Sequence, residues 1–344
     1  MRNKIDYDYD GKDFSDVRKT FLSLTSNTYP HGHEEEVLGF LPELMNDQFG
    51  NYYRIIGDKP TTMFTSHLDT ADHRQNKTER YSTIEDGVEN ITTNGETILG
   101  ADDKAGVTVM LYMIEKNVPG LYYFFIGEER GGIGSKKLSN DFDTIEYVKD
   151  IVRCVSFDRR GTGSIITKQL GRQCCSDEFA NALCDQYNSL GMDMSPDPTG
   201  IFTDSAMFMG NIPECTNVSV GYMNEHTGKE VQNITHLEQL CKASCKVDWD
   251  SLPTKRDIQV AVKGEKDYPD SYDNLVKDAK KIETFSGIEE DENGEWSLYF
   301  DIEGWKPSEV LSELKNINKL AEKHELIDVC YMDNGYLIIR IVQL

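Results

Sequence analysis

The stretch at residues 120–129, GLYYFFIGEE, runs from Leu121 to Ile126 without the in-out alternation of a half-exposed strand. A run of this kind suits a strand covered on both faces, as the strands of parallel sheets are. DIVRCVSFDRR (150–160) reads the same way, and TTMFTSHLDT (61–70), NYYRIIGD (51–58), SIITKQ (164–169) and CTNVSVGY (215–222) also read as strands. Between them lie stretches with helical spacing, chiefly AGVTVMLYMIEKN (105–117), SDEFANALCDQYNSLG (176–191) and ITHLEQLCKASCKV (234–247). DVRKTFLSLTSN (16–27), HEEEVLGFLPELMND (33–47) and SKKLSND (135–141) are further expected helices. Strands alternating with helices predict a three-layer α/β/α sandwich with a mostly parallel central sheet. Ligand sites in such sheets gather outside the carboxyl ends of the strands.

The alternation stops near residue 250. A charged stretch leads to WSLYFDI (296–302), a helical stretch KPSEVLSELKNINKLAEKHE (306–325), LIDVCYM (326–332) and YLIIRIVQL (336–344). That pattern is β-α-β-β, with Asp333-Asn334-Gly335 as a hairpin turn. Residues 1–250 are therefore expected to form the main α/β domain and 251–344 a small acidic α+β appendage. The appendage lacks the basic and aromatic pattern of an RNA-binding sheet.

With 60 Asp and Glu against 36 Lys and Arg, the chain argues against a phosphate-backbone partner and against nucleic acid generally. No apolar run is long enough for a membrane span. The polar first residues have no signal-peptide core, so the eight irregularly spaced cysteines read as reduced thiols and the cytoplasm as the compartment. Cys241 and Cys245 share a helix face and are expected to be small buried residues rather than half of a zinc site.

Polar residues cluster where the expected strands end: His67 and Asp69, Glu128 and Glu129, Asp158, and the loop with Glu225, His226 and Glu230. Asp102 and Asp103 open the helix that follows the turn at ILGA (98–101). Taken singly, each has a plain structural reading: a solvated acidic pair, a helix cap or a core histidine. Taken together, many carboxylates and two histidines facing one cleft suit a pair of divalent cations, which cancel the repulsion between the carboxylates.

These motifs, in this order, resemble those of the zinc exopeptidase superfamily, which holds co-catalytic aminopeptidases, peptidase T, glutamate carboxypeptidases and related deacylases. SHLDT (66–70) resembles its His-x-Asp motif, and LGADDKAG (99–106) its bridging-aspartate loop. GEERGGIGS (127–135) is similar to its Glu-Glu motif, SFDRRG (156–161) to the strand of its fourth ligand, and NEHTGKE (224–230) to its last histidine loop. SNTYPHGHEEEVLGFL (26–41) is like the lead-in of these enzymes, and the likeness spans residues from about 14 to 247.

The resemblance implies that Asp102 bridges two divalent metal ions, Zn2+ with Co2+ or Mn2+ as alternatives. His67 and Asp158 would complete one site, and Glu129 and His226 the other. Asp69 would orient His67. Glu128 would be the general base that activates a metal-bridging water. The large lid inserted in peptidase T and the carboxypeptidases is missing, since 67 residues separate Asp158 from His226. Asp at the fourth ligand, usual in aminopeptidases, favours cleavage from the amino end of short peptides.

Thr203, Asp204, Ser205 and Arg159 are candidate substrate contacts, with Arg160, Asp72 and His73 behind them. For Thr203 to Ser205 a plain helix N-cap is an equal alternative. The other functions compatible with these residues are a carboxypeptidase or N-acyl amino acid deacylase, and a catalytically silent binding module. Homo-oligomerisation is left open, and the appendage could serve docking.

Overall fold

The computed structural model describes residues 2–5, 12–258, 273–282, 284–290, 296–301, 315, 319–320, 330–333 and 336–341. The chain divides into two compact units, Met1–Ile258 and Gln259–Leu344.

The first unit is built on an eight-stranded sheet. Its spatial order is Ser195–Asp197, Ser164–Ile166, Glu214–Ser219, Arg153–Arg159, Thr62–His67, Gly120–Phe125, Tyr52–Ile56 and Met45–Asn46. The four strands from Glu214–Ser219 to Gly120–Phe125 run parallel, and Tyr52–Ile56 and Met45–Asn46 join antiparallel at one edge. All residues of Thr62–His67 and Gly120–Phe125 are buried. That burial explains their unbroken apolar character.

Helices cover the sheet. They are α1 (Val17–Leu24), α2 (Ala101–Glu115), α3 (Ile133–Asn140), α4 (Asp177–Ser189), α5 (Asp204–Met207) and α6 (Ile234–Ser244). Side-chain caps start three of them: Asp16 accepts from Lys19 N, Ser176 from Phe179 N and Asn233 from His236 N. Helix α2 lies so close to the sheet that a Cβ at Gly106 would collide with the Phe157 carbonyl oxygen. Only glycine allows that approach, which brings the N-terminal turn of α2 to the strand ends.

Two local expectations are corrected. HEEEVLGFLPELMND forms only a 3-10 helix at Glu34–Phe40, followed by the Met45–Asn46 strand. Pro42 is the reason, because it holds Leu41 extended (ψ 161). The sequence reading also missed a second, antiparallel sheet: Arg2–Lys4, Arg80–Glu85, Val88–Thr93, Val231–Asn233 and Tyr222–Met223, in that order. Its central hairpin turns through Asp86 (φ 49) and Gly87 (φ 83). That left-handed pair is favoured in two-residue hairpin loops.

In the second unit, Phe285–Glu290, Trp296–Asp301, Tyr336–Ile341 and Cys330–Asp333 form an antiparallel sheet in that order. Phe285–Glu290 is a strand beyond the expected β-α-β-β set, and a helix spans Asp273–Ala279. The expected helical stretch at 306–325 falls almost wholly outside the described residues. So do Asn334 and Gly335, while Asp333 pairs with Tyr336. Among the described residues no helix is long and apolar enough to cross a membrane.

Candidate active site

The carboxyl ends of the parallel strands deliver the cluster. His67 is the last residue of its strand and is buried. Its Nδ1 lies 3.1 Å from the Asp69 carbonyl oxygen and 3.5 Å from Asp69 Oδ1. A proton on Nδ1 satisfies that side and leaves Nε2 facing the cluster, able to donate to a carboxylate when protonated or to bind a cation when not. There Nε2 is 3.1 Å from Asp102 Oδ1, 3.7 Å from Asp158 Oδ1 and 3.8 Å from Glu128 Oε2.

Asp69 has a second task. Its carboxylate accepts from the backbone N–H groups of Glu128 (3.1 Å) and Glu129 (3.2 Å). One buried side chain thus ties the His67 strand to the turn that carries both glutamates. That turn, a 3-10 segment at Glu128–Arg130, lies between two left-handed glycines, Gly127 (φ 65) and Gly131 (φ 82).

Asp102 lies between the histidines. Its Oδ1 faces His67 Nε2 and its Oδ2 faces His226 Nε2, each at 3.1 Å. Asp102 and Asp103 break the helical dihedrals of α2, and the peptide bond between them is cis. Asp103 points the other way. It accepts from Ser66 Oγ, from His67 N at 3.2 Å and from Gly106 N at 3.1 Å, which fixes the start of α2 against the His67 strand.

His226 Nε2 is also 3.1 Å from Glu129 Oε1, a buried oxygen without a hydrogen-bonding donor. A single imidazole N–H cannot serve both Glu129 and Asp102. Three ligand atoms converging on one point with a donor too few is the arrangement a cation completes. Ligand atoms lie within 4.8 Å of one another in two sets that share Asp102: His67, Asp102 and Asp158, and Asp102, Glu129 and His226. Residues of both sets fit divalent cations held by nitrogen and carboxylate oxygen.

The electrostatics follow from crowding. Burial drives the Glu128 carboxyl well above its ordinary range; the charges of Asp158 and Glu129 add to this against the pull of His67. Burial, with the charge of Asp102, pushes Glu129 up to about 7 against the pull of His226. Burial raises Asp158 as well, helped by the charge of Asp102. Asp102 goes the other way: burial opposes ionisation, but hydrogen bonds from His226 and His67 outweigh it. Burial also opposes the charging of His67, yet Glu128, Asp102 and Asp158 raise it well above 6.5.

These shifts set a pH dependence for the metal-free protein. A raised carboxyl costs nothing below its unfolded value, and its cost grows as pH rises to the folded value. For Glu129 the window is 4.5 to about 7, a difference on the order of 3 kcal/mol. The raised His67 stabilises fully below 6.5, and that contribution is lost as pH climbs through its folded value. Both act in the same direction. Chelator-treated protein is expected to unfold at lower urea at pH 8 than at pH 5, with added Zn2+ closing the gap. Equal urea midpoints at the two pH values would contradict this account of the cluster.

The sequence reading named Thr203 and Glu230 but not the contacts they make, and it did not name Tyr222, Asn217 or Lys104. Asp158 receives Thr203 Oγ1 at 2.6 Å and Tyr222 OH at 3.1 Å on its carboxylate, and its backbone N donates to Asn217 Oδ1 at 2.8 Å. The buried Lys104 donates to the Leu68 carbonyl at 2.5 Å, between His67 and Asp69. Glu230 accepts from Leu99, Gly100 and Asp102 N–H groups. The sequence signal for Lys104 and Glu230 was their place within ADDKAG and NEHTGKE. Nothing local marked Tyr222 or Asn217.

The structure places Thr203, Asp204 and Ser205, the expected substrate contacts, beside the cluster but inside the protein. All three are buried, at 1%, 1% and 0% exposure. Thr203 serves Asp158, and Ser205 Oγ donates to the Thr216 carbonyl. No surface of theirs is left for a peptide, and Thr203 makes no side-chain cap bond to α5. Arg159 reaches Thr199 Oγ1 at 2.8 Å and Asp197 Oδ2 at 3.4 Å, while Arg160 pairs with Glu225 at 3.2 Å. Asp72 accepts from its neighbours His73 N and Asn76 Nδ2.

Solved structures share this architecture. Aminopeptidase PepT from Bacillus cereus ATCC 10987 superposes with a TM-score of 0.55 at 18% identity, covering 68% of this chain and 97% of its own. The TET1 peptidase of Pyrococcus horikoshii, which can assemble into a tetrahedron or a large octahedral shell, gives 0.51 at 14% identity over 67% and 98%. A tripeptidase from Staphylococcus aureus subsp. aureus Mu50 gives 0.50 at 16% identity over 69% and 98%. The chain therefore shares the fold of these proteins over about two thirds of its length. No family model matches it. In sequence, 96 residues are 41% identical to the uncharacterized protein YqjE of Bacillus subtilis (strain 168); the match spans 25% of this chain and 24% of that protein.

Proposed function

We propose that the protein is a di-metal exopeptidase that removes residues from the amino end of short peptides. The observation that carries this reading is the Asp102 carboxylate shared between two imidazoles, with the Glu128 carboxyl 3.8 Å from one of them. Asp102, His67 and Asp158 would hold one divalent cation, and Asp102, Glu129 and His226 the other, with Zn2+ the best match to this donor set. Such a pair supplies Lewis-acid polarisation of the scissile carbonyl and acidifies water.

The chain supplies the rest. Asp69 fixes the ring of His67 through Nδ1 and aims the Glu128 backbone. Glu128 would take a proton from the attacking water and pass it to the leaving amine nitrogen, serving first as general base and then as general acid. Arg159 and Arg160 are engaged by Asp197 and Glu225, which argues against a clamp for a substrate carboxylate and so against the carboxypeptidase reading. Cys154, Cys174, Cys175, Cys184, Cys215, Cys241 and Cys245 are free thiols, in keeping with a reducing compartment such as the cytoplasm. Self-association belongs to the same proposal, by likeness to the shell-forming peptidase.

The test is a mixed peptide pool incubated with zinc-loaded protein and followed by mass spectrometry. Ladders shortened from the amino end are the expected result. Shortening from the carboxyl end, or release of acyl groups alone, would replace the proposal with one of its alternatives.

A further inference from the structure

Glu230 lies four residues beyond His226 and is 1% exposed. Its carboxylate takes three backbone N–H groups from a distant segment: Leu99 at 2.7 Å and Gly100 at 2.8 Å on Oε2, and Asp102 at 3.0 Å on Oε1. These donors belong to the turn that enters α2, where Gly100 is left-handed (φ 71) and Asp102 departs from helical dihedrals.

The loop at the other end of this contact is equally defined. Glu230 N donates to the Thr227 carbonyl at 3.0 Å, and Asn224 and His226 are both left-handed (φ 57 and 61). A side chain at Gly228 would strike the backbone of Gly95, so this loop lies directly on the segment leading to α2. Glu230 is thus the side chain that fastens the His226 loop to the Asp102 turn.

The other half of the cluster is fastened differently. Asp103, not Glu230, links α2 to His67, through Ser66 Oγ, His67 N and Gly106 N. Two separate carboxylates therefore gauge the two sides of Asp102. Resting on the two-cation reading above, we propose that Glu230 is a positioning residue: it sets the spacing of Asp102 and His226, and with it the affinity of the Asp102–Glu129–His226 pocket alone. A glutamine there turns an amide N–H toward backbone N–H donors and loses part of the fastening.

The test is a Co2+ titration of the full chain, read by calorimetry and by metal content after gel filtration, with peptide cleavage measured alongside. Wild type is expected to bind two ions. Glu230→Gln is expected to keep one ion at wild-type affinity and to bind the second about 10- to 100-fold more weakly, the usual cost of losing a group that orients a ligand. Excess Co2+ should then restore its cleavage rate. Glu230→Asp, charged but shorter, should fall between the two and takes over the test if the glutamine variant does not fold. Equal weakening of both ions, or no weakening in either variant, would overturn the positioning role while leaving the peptidase reading in place. A wild type that binds no Co2+ would overturn both.

Discussion

Glu128→Gln protein is expected to fold, to bind both cations and to cleave peptides about 10²- to 10⁴-fold more slowly than wild type, the range for removing a positioned general base. The side chain keeps its shape and loses only its basic oxygen. Glu128 stands outside the two ligand sets that share Asp102 but forms a third group with His67 and Glu129, so unchanged metal content is the readout that separates a base from a ligand. Its backbone N–H is held by Asp69, so the turn at Glu128–Arg130 should keep its place. The measurement is kcat on a peptide released by the pool experiment, beside metal content by mass spectrometry. Activity within tenfold of wild type would remove Glu128 from the chemistry.

The second large effect is expected at Asp102. Both ligand sets contain it, so Asp102→Ala should lose both cations and cleavage together, whereas His226→Ala should spare one. Stability gives an independent readout. A ligand at a thousand times its dissociation constant stabilises the folded state by about 4 kcal/mol. Wild-type protein should show a gain of that order when Zn2+ is added, and Asp102→Ala almost none. An alanine variant that still binds one ion with full affinity would show that the carboxylate is not shared.

What the sequence made legible, and what it hid, follows from how each feature is encoded. The strand ends were readable because parallel strands buried on both faces appear as unbroken apolar runs, and polar residues stand out where those runs stop. The hairpin at residues 80–93 was hidden because its strands are half exposed and polar, as in RYSTIE; Asp86-Gly87 was the one local clue. The helix expected at 33–47 failed because apolar spacing was read through Pro42.

At the site, the candidate ligands stood in local motifs, and so did Lys104 and Glu230, but the long-range contacts that hold the ligands in place were not readable. Tyr222 reaches Asp158 across 64 positions, and Glu230 reaches Leu99 across 131. Such contacts depend on loop backbones, including the left-handed His226, that no apolar period encodes. Thr203 makes a contact of the same hidden kind. Its position before a short helix suggested a cap or a substrate contact, and its hydroxyl serves the carboxylate of Asp158 instead.

One ligand set needs residues 67, 102 and 158, and the other 102, 129 and 226. The strand of His67 is also flanked by strands that come later in the chain. During synthesis, then, neither pocket exists until well over a hundred residues have emerged, and the second waits for the loop just before α6. On the two-cation reading, the pair of pockets would be complete only once the loop before α6 has emerged, and a chain stopped short of residue 226 would hold the first set of ligands without the second.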